Sequence, residues 1–295
     1  MSATLTSSRF EPRLDRRRRV GTVMLVLFFL ATVFGLVVLL TLLVDVVVKG
    51  LPWLDADFLT SFPSRNPEEA GIKSAIVGSL WMMGLTAAFS VPLGVGAAIY
   101  LEEYASRGWL LRLIQVNIAN LAGIPSVIYG ILGLGLFVRF MGFGRSLLAG
   151  ALTMTLLILP VIVIATQEAL RAVPAGIRES AYALGATRSQ VIRSHLLPLA
   201  LPGILTGVIL ALSRALGETA PLIMIGALTF IAFLPESVMD PFTVLPIQIF
   251  NWTARPQASF QELAAAAIIV LMVFLFLMNL SAILLRNHFD KTRPR

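Results

Sequence analysis

Apolar residues in this chain come in long unbroken runs, without the alternation of a half-buried strand or the single stripe of a soluble helix. Six runs, 20–48, 72–100, 113–138, 146–166, 200–234 and 263–285, approach or exceed the length needed for a crossing, about 20 apolar residues per helix. The fifth is long enough to hold an interfacial or broken portion besides a span. The pattern predicts an all-α, polytopic membrane protein with six transmembrane helices. Arg16–Arg19 ahead of the first run imitate the basic start of a secretory signal. The run exceeds the roughly 7 to 15 residues of a signal's apolar part, and no small-x-small cleavage site follows it, so it reads as an uncleaved first helix.

The polar segments between the runs set the organisation. A basic tail covers 1–19, the first helix 20–48, an outer loop 49–71, the remaining spans 72–285 with an inner loop at 167–201, and a short tail 286–295. Arg9, Arg13, Arg16–Arg19, Arg107, Arg112, Arg171, Arg178, Arg188, Arg193, Arg286, Lys291, Arg293 and Arg295 all fall on the side that holds the N-terminus. The opposite side holds only Lys49, Arg65, Lys73, Arg139, Arg145 and Arg255. Basic residues accumulate in cytoplasmic loops, which puts both termini in the cytoplasm. The outer segment 50–71 carries Asp55, Asp57, Glu68 and Glu69 with three prolines, as a loop with a short surface helix would. In the other outer segment, Phe250-Asn251-Trp252 is expected at the membrane–water boundary.

Composition narrows the choice. Only 13% of residues are charged and 57% are hydrophobic, against about a quarter charged in a soluble domain. The net charge of +7 follows from the loops, so no nucleic-acid partner is needed and lipid is the expected surrounding. The chain has no cysteine, and His195 and His288 are its only imidazoles, which removes thiol chemistry and makes a metal centre unexpected. Gly84, Pro92, Gly94 and Gly96 in the second run, and Gly123, Pro125, Gly130, Gly133 and Gly135 in the third, read either as close-packing positions or as kinks that shape a path.

The inner loop 167–201 is helix-competent. Pro174 suits a first helical turn, Ile177, Ala181 and Leu184 recur at helical spacing, and Gly185 suits a C-terminal cap. Thr187-Arg188-Ser189-Gln190 has capping-box spacing, and Pro198 and Pro202 are expected to end the second helix at the membrane. The loop therefore reads as two amphipathic helices joined at a glycine corner, either projecting inward or lying among lipid headgroups. Glu179-Ser180-Ala181, Gly185 and then His195-Leu196-Leu197-Pro198 resemble the E-A-A-x3-G-x9-I-x-L-P loop of ABC importer permeases. Ser180 stands for the first Ala and His195 for Ile, so one docking contact is more polar than the pattern. The resemblance implies a type I (MetI-like) importer permease fold, with Glu179, Ser180, Ala181, Gly185, Leu197 and Pro198 at the contact with an ATPase. No G-x-x-x-x-G-K-[ST] phosphate loop occurs, so no cofactor is expected in this chain, and ATP and magnesium would be bound by the partner.

A second constellation lies inside the fifth run. Arg214 and Glu218 are spaced i, i+4 and can pair on one helix face, with Ser213 and Thr219 beside them. Ionisable residues at membrane depth are costly and face a bundle interior or an aqueous cavity. The pair is either a structural ion pair or part of an anion path, where a guanidinium's planar donors suit phosphate. The stretch Arg214-Ala215-Leu216-Gly217-Glu218-Thr219-Ala220-Pro221 resembles the permeases of phosphate-specific ABC importers. Segments 57–64 with 67–72, 168–174 and 246–252 are similar to the A-type subunits among them. That resemblance implies transport of inorganic phosphate by a non-enzymatic subunit. It further implies a heterodimer with a C-type permease, a homodimeric ATPase and a phosphate-binding protein. Another oxyanion such as sulfate or molybdate is the alternative substrate. A secondary transporter would bring inverted repeats, of which the halves give no convincing sign, and a membrane enzyme would need more histidines and carboxylates than the spans hold.

Overall fold

The computed structural model of the chain describes residues 14–106, 108–227 and 230–291. Arg9, Arg13, Arg107, Arg293 and Arg295, which enter the orientation argument, lie outside them. The described residues form helices and no strand: α1 (Leu14–Gly50), α2 (Ala56–Thr60), α3 (Lys73–Ile99), α4 (Trp109–Ala122), α5 (Ser126–Gly133), α6 (Leu147–Arg171), α7 (Ala175–Ala183), α8 (Arg188–Val191), α9 (Leu197–Gly217), α10 (Ala220–Ile225), α11 (Leu245–Thr253) and α12 (Ala258–Lys291). Wider π-turns continue α3 at Tyr100–Tyr104, α5 at Leu134–Phe140, and join α8 to α9 at Ile192–Leu196.

Five helices are long and apolar enough to cross a membrane, and a sixth crossing arises if α4 and α5 with its π-turn count as one broken span. The six-run expectation holds in that form. The third run was expected as a single helix but bends by 104°. Pro125 has no amide hydrogen to give and disfavours helical geometry at Ile124, so the chain turns at Gly123–Pro125. The fifth run also breaks, after Gly217. Glu218 is extended (φ −80°, ψ 123°), and the short α10 then ends at Gly226, whose φ of 93° suits only glycine without strain. Pro198 and Pro202, by contrast, do not end a helix: α8, the π-turn and α9 run on as one span from Arg188 to Gly217. A proline ring clashes with the carbonyl four residues earlier. For Pro198 that residue is Ser194, inside the widened π-turn.

α6 is the central element, buried along most of its length and packed by α3 on one side and α9 on another. Glycines make these crossings close. A Cβ on Gly94 would lie 2.6 Å from the Ile162 side chain, one on Gly203 would lie 2.9 Å from that of Ala169, and one on Gly207 would overlap Ala165. Gly84, Gly96 and Gly135 face open space, so the close-packing reading applies only to part of the set.

One end of the bundle carries a cap built from the two outer segments. Phe58 packs on Trp252 (ring centroids 6.0 Å apart), and the Trp53 indole donates to Glu262 (2.9 Å). Trp252 is fully buried there because α2 supplies the apolar surface that covers it, while Phe250 of the same stretch is 47% exposed. The amides of Leu147 and Leu148, which open α6, donate to the carbonyls of Asp240 and Val238 (3.0 and 2.8 Å). Gly50 at the end of α1 meets the backbone of Ala265 and Ala266. Leu43 and Val46 of α1 are half-buried where its last turns pack on α12, and 17–42 are exposed.

Candidate functional site: a helix break with a charged pair, and a basic-braced inner loop

At the end opposite the cap, α7 and α8 form the helical loop. Pro174 sits one residue before α7, with ψ near 134°, and not within its first turn. α7 closes on a two-bond glycine cap: the Ala186 amide donates to the Ala181 carbonyl (3.1 Å) and the Gly185 amide to the Tyr182 carbonyl (2.9 Å), with Gly185 at φ 82°. Thr187 and Gln190 make the reciprocal capping box of α8. Glu179, Ser180 and Gly185 are exposed, Ala181 is buried, Leu197 is half-buried and Pro198 is exposed. Leu184 at the corner is 89% exposed. His195 points outward, so a polar residue in place of an apolar one needs no compensating partner within the chain.

The loop is tied down by residues that composition and spacing did not single out. Arg178 Nη2 donates to Glu103 Oε1 and to the Leu170 carbonyl, both at 2.9 Å. Arg171 grips Glu102 through Nε and Nη2 (3.0 and 2.9 Å), and the Arg188 guanidinium lies 5.4 Å from the Tyr104 ring centroid. Glu102 and Glu103 were legible as charges next to a span, but not as the partners of arginines far along the chain.

The second constellation forms where two broken elements meet. Gly130 of α5 lets the chain approach Pro221 of α10: a Cβ there would lie 2.7 Å from the Pro221 Cα. Arg214 lies in the last turn of α9 and 3.4 Å from Glu218 across the break, so the pair spans the helix end, not a continuous helix face. The Arg214 side chain is 48% exposed and that of Glu218 20%. Of Arg214's five donors, only Nε has a hydrogen-bond partner among the described residues. The buried Tyr129 lies within electrostatic reach of Arg214, and its hydroxyl donates to the Leu121 carbonyl (2.8 Å) across the α4–α5 bend. Thr219 is half-buried beside the break, and its hydroxyl has no partner among the described residues. Ser213 is turned elsewhere: its hydroxyl is 2.8 Å from the Ile209 carbonyl oxygen and 2.6 Å from the Asn279 side-chain oxygen of α12. The structure thus brings Arg214, Glu218 and Thr219 together with Tyr129, and leaves Ser213 on the α12 side.

Five or six candidate spans, a helical loop on charged props and a polar helix break describe a polytopic helical membrane protein. The chain belongs to the family of binding-protein-dependent transport system inner membrane components, whose model matches residues 90–293. Members are permease subunits of ABC importers, which work with an ATPase and a binding protein, so the chain is a multi-pass inner-membrane transport subunit and not an enzyme. It is 33% identical over 283 residues to the phosphate transport system permease protein PstA of Xylella fastidiosa, covering 94% of this chain and 96% of that protein. It is also 33% identical over 297 residues to phosphate transport system permease protein PstA 1 of Mycobacterium tuberculosis (97% and 94% covered). A probable ABC transporter permease protein, YqgI of Bacillus subtilis, is 32% identical over 251 residues (80% and 85% covered). The fold matches a crystallised bacterial ABC transporter involved in the import of the acidic polysaccharide alginate, with a TM-score of 0.66, 18% identity, and 94% and 99% coverage. It also matches inward-facing MetNI methionine ABC transporter structures, at a TM-score of 0.58, 21% identity, and 76% and 95% coverage.

Proposed function

We propose that this chain is the A-type permease of an ATP-driven importer that moves inorganic phosphate across the bacterial inner membrane. It works as a heterodimer with a C-type permease, over a homodimeric ATPase and below a phosphate-binding protein, with both termini cytoplasmic. The transport unit is 72–285, and α7 and α8 within the loop 167–201 dock on the ATPase through Glu179, Ser180 and Gly185, with Leu197, Pro198 and the buried Ala181 bracing the contact.

The observation that carries the anion path is the exposure of Arg214. A guanidinium at membrane depth costs about 2.5 to 3.5 kcal/mol even at the low end of insertion scales, so it faces protein or water and not lipid. Arg214 is half exposed in this chain alone and keeps most of its donors uncommitted beside a helix break. A water-filled path against a second permease subunit meets that requirement. Phosphate oxygens complete the guanidinium's hydrogen bonds, Glu218 limits how tightly the anion is held, and Thr219 adds a hydroxyl. Ser213 contributes by fixing α9 to α12.

The test is ATP-dependent uptake of radiolabelled phosphate into proteoliposomes holding the full complex. Arg214→Gln is expected to abolish uptake while the complex still assembles. Glu179→Arg is expected to weaken retention of the ATPase. Normal uptake by Arg214→Gln would make Arg214 a structural charge, and uptake of sulfate in place of phosphate by the wild type would overturn the substrate assignment.

A further inference from the structure

Three cations from three elements converge on one short turn. Arg171 ends α6 and holds Glu102, Arg178 of α7 holds Glu103, and Arg188 of α8 covers Tyr104. Glu102, Glu103 and Tyr104 all belong to the π-turn Tyr100–Tyr104 that closes α3. The Arg178–Glu103 pair is the most enclosed, at 24% and 10% side-chain exposure, and the same Nη2 also reaches the Leu170 carbonyl near the end of α6. A π-turn is a wide, rarely used helical geometry that recurs at functional positions. α3 in turn packs along α6 across the membrane.

We propose that the π-turn Tyr100–Tyr104 receives the movement of the inner loop, with Glu103 and Arg178, backed by Glu102 and Arg171, as positioning residues that pass displacement of α7 into α3. This rests on the reading of α7 as the ATPase-docking helix. Besides the charged contacts, the loop joins the spans through its own two ends, into α6 and α9, where Ala181 and Val191 pack into the core. The arginine contacts add a third route, to a span that is remote from the loop in sequence. Surface ion pairs serving only as a brace would contribute little individually. An enclosed pair that shares its guanidinium with a backbone carbonyl instead fixes the relative position of three elements at one point.

The experiment uses the full complex in proteoliposomes, with Arg178→Gln, Glu103→Gln and the conservative Arg178→Lys. Three quantities are read: ATPase subunit retained on purification, phosphate moved per ATP hydrolysed, and hydrogen exchange of the 100–104 amides without nucleotide and with ATP plus vanadate. The expected result is full ATPase retention and continued hydrolysis in every variant. Phosphate per ATP falls about tenfold in the two Gln variants, and Arg178→Lys keeps most of the wild-type ratio. Exchange in the turn responds to nucleotide in the wild type and no longer does so in Glu103→Gln. An unchanged transport ratio in the Gln variants overturns the proposal and leaves the cluster a static brace. Loss of the ATPase subunit from them overturns it as well, because the pairs then shape the docking surface itself. A wild type whose turn responds to nucleotide without any phosphate uptake refutes the substrate reading alone. Uptake with no response in the turn refutes the transmission alone.

Discussion

Tyr129 carries a load that its neighbours in the run do not. Its hydroxyl reaches back to the Leu121 carbonyl and closes the angle between α4 and α5, and its ring is buried at the level where Gly130 meets Pro221. A single neutral hydrogen bond contributes about 1 kcal/mol, so removing it should lower stability slightly without collapsing the fold. Tyr129→Phe keeps ring and volume, and is expected to shift the Tm of the purified complex by no more than about 4 °C. If the bend also sets the position of Arg214, phosphate uptake in proteoliposomes falls severalfold more than that small change in stability explains. Uptake that matches the wild type would mean that the bond merely ties the bend. Arg214 and Glu218 were legible in the sequence because charge inside an apolar run stands out against any background. Tyr129 was not, since a tyrosine among apolar residues is ordinary and its partner lies on the far side of a break that hydropathy does not register.

At the scale of elements, local chemistry was the legible part. The glycine corner and the capping box of the inner loop depend on residues within five positions of each other, and Gly185, Thr187 and Gln190 behave as their spacing required. The breaks were half legible: Gly217, Pro221 and Pro125 were visible, but an apolar run reads the same whether its helix is continuous or broken. Pro198 misled for a related reason, because the π-turn that accommodates it has no sequence signature. Gly185 gives the sharpest test at this scale. An added Cβ there would meet nothing within 4 Å, so any effect of substitution comes from the backbone alone. A β-branched residue in the left-handed region costs roughly 1 to 2 kcal/mol, while Asn tolerates it far better. Gly185→Val should therefore reduce the amount of ATPase that co-purifies, and Gly185→Asn should retain most of it. Equal retention by Val and Asn would mean that the corner's geometry is not what the ATPase recognises.

The whole molecule divides its stability unevenly between water and lipid. The cap buries Phe58, Trp252 and Phe260 between segments remote in sequence, so the burial of Trp252 is not legible from its own neighbourhood. α2 and α11 of that cap are not among the helices long and apolar enough to cross a membrane, and burying their aromatic surface away from water is favourable. α1 is in the opposite situation: lipid solvates its side chains as well as protein would, so no hydrophobic force drives it onto the bundle, and its close contact is made by Gly50 against α12. The two should respond differently to the same kind of truncation. Trp252→Ala empties a fully buried site and is expected to destabilise the chain by about 3 to 5 kcal/mol, seen as a drop of many degrees in the Tm of the detergent-purified protein. Phe34→Ala removes a ring that is 72% exposed on α1, and should leave that Tm within the scatter of surface substitutions, about 0.5 kcal/mol. A large loss from Phe34→Ala in the isolated chain would mean that α1 packs on the bundle well beyond Gly50. A small loss from Trp252→Ala would mean that the cap is held by its backbone hydrogen bonds to α6 and not by its aromatic core.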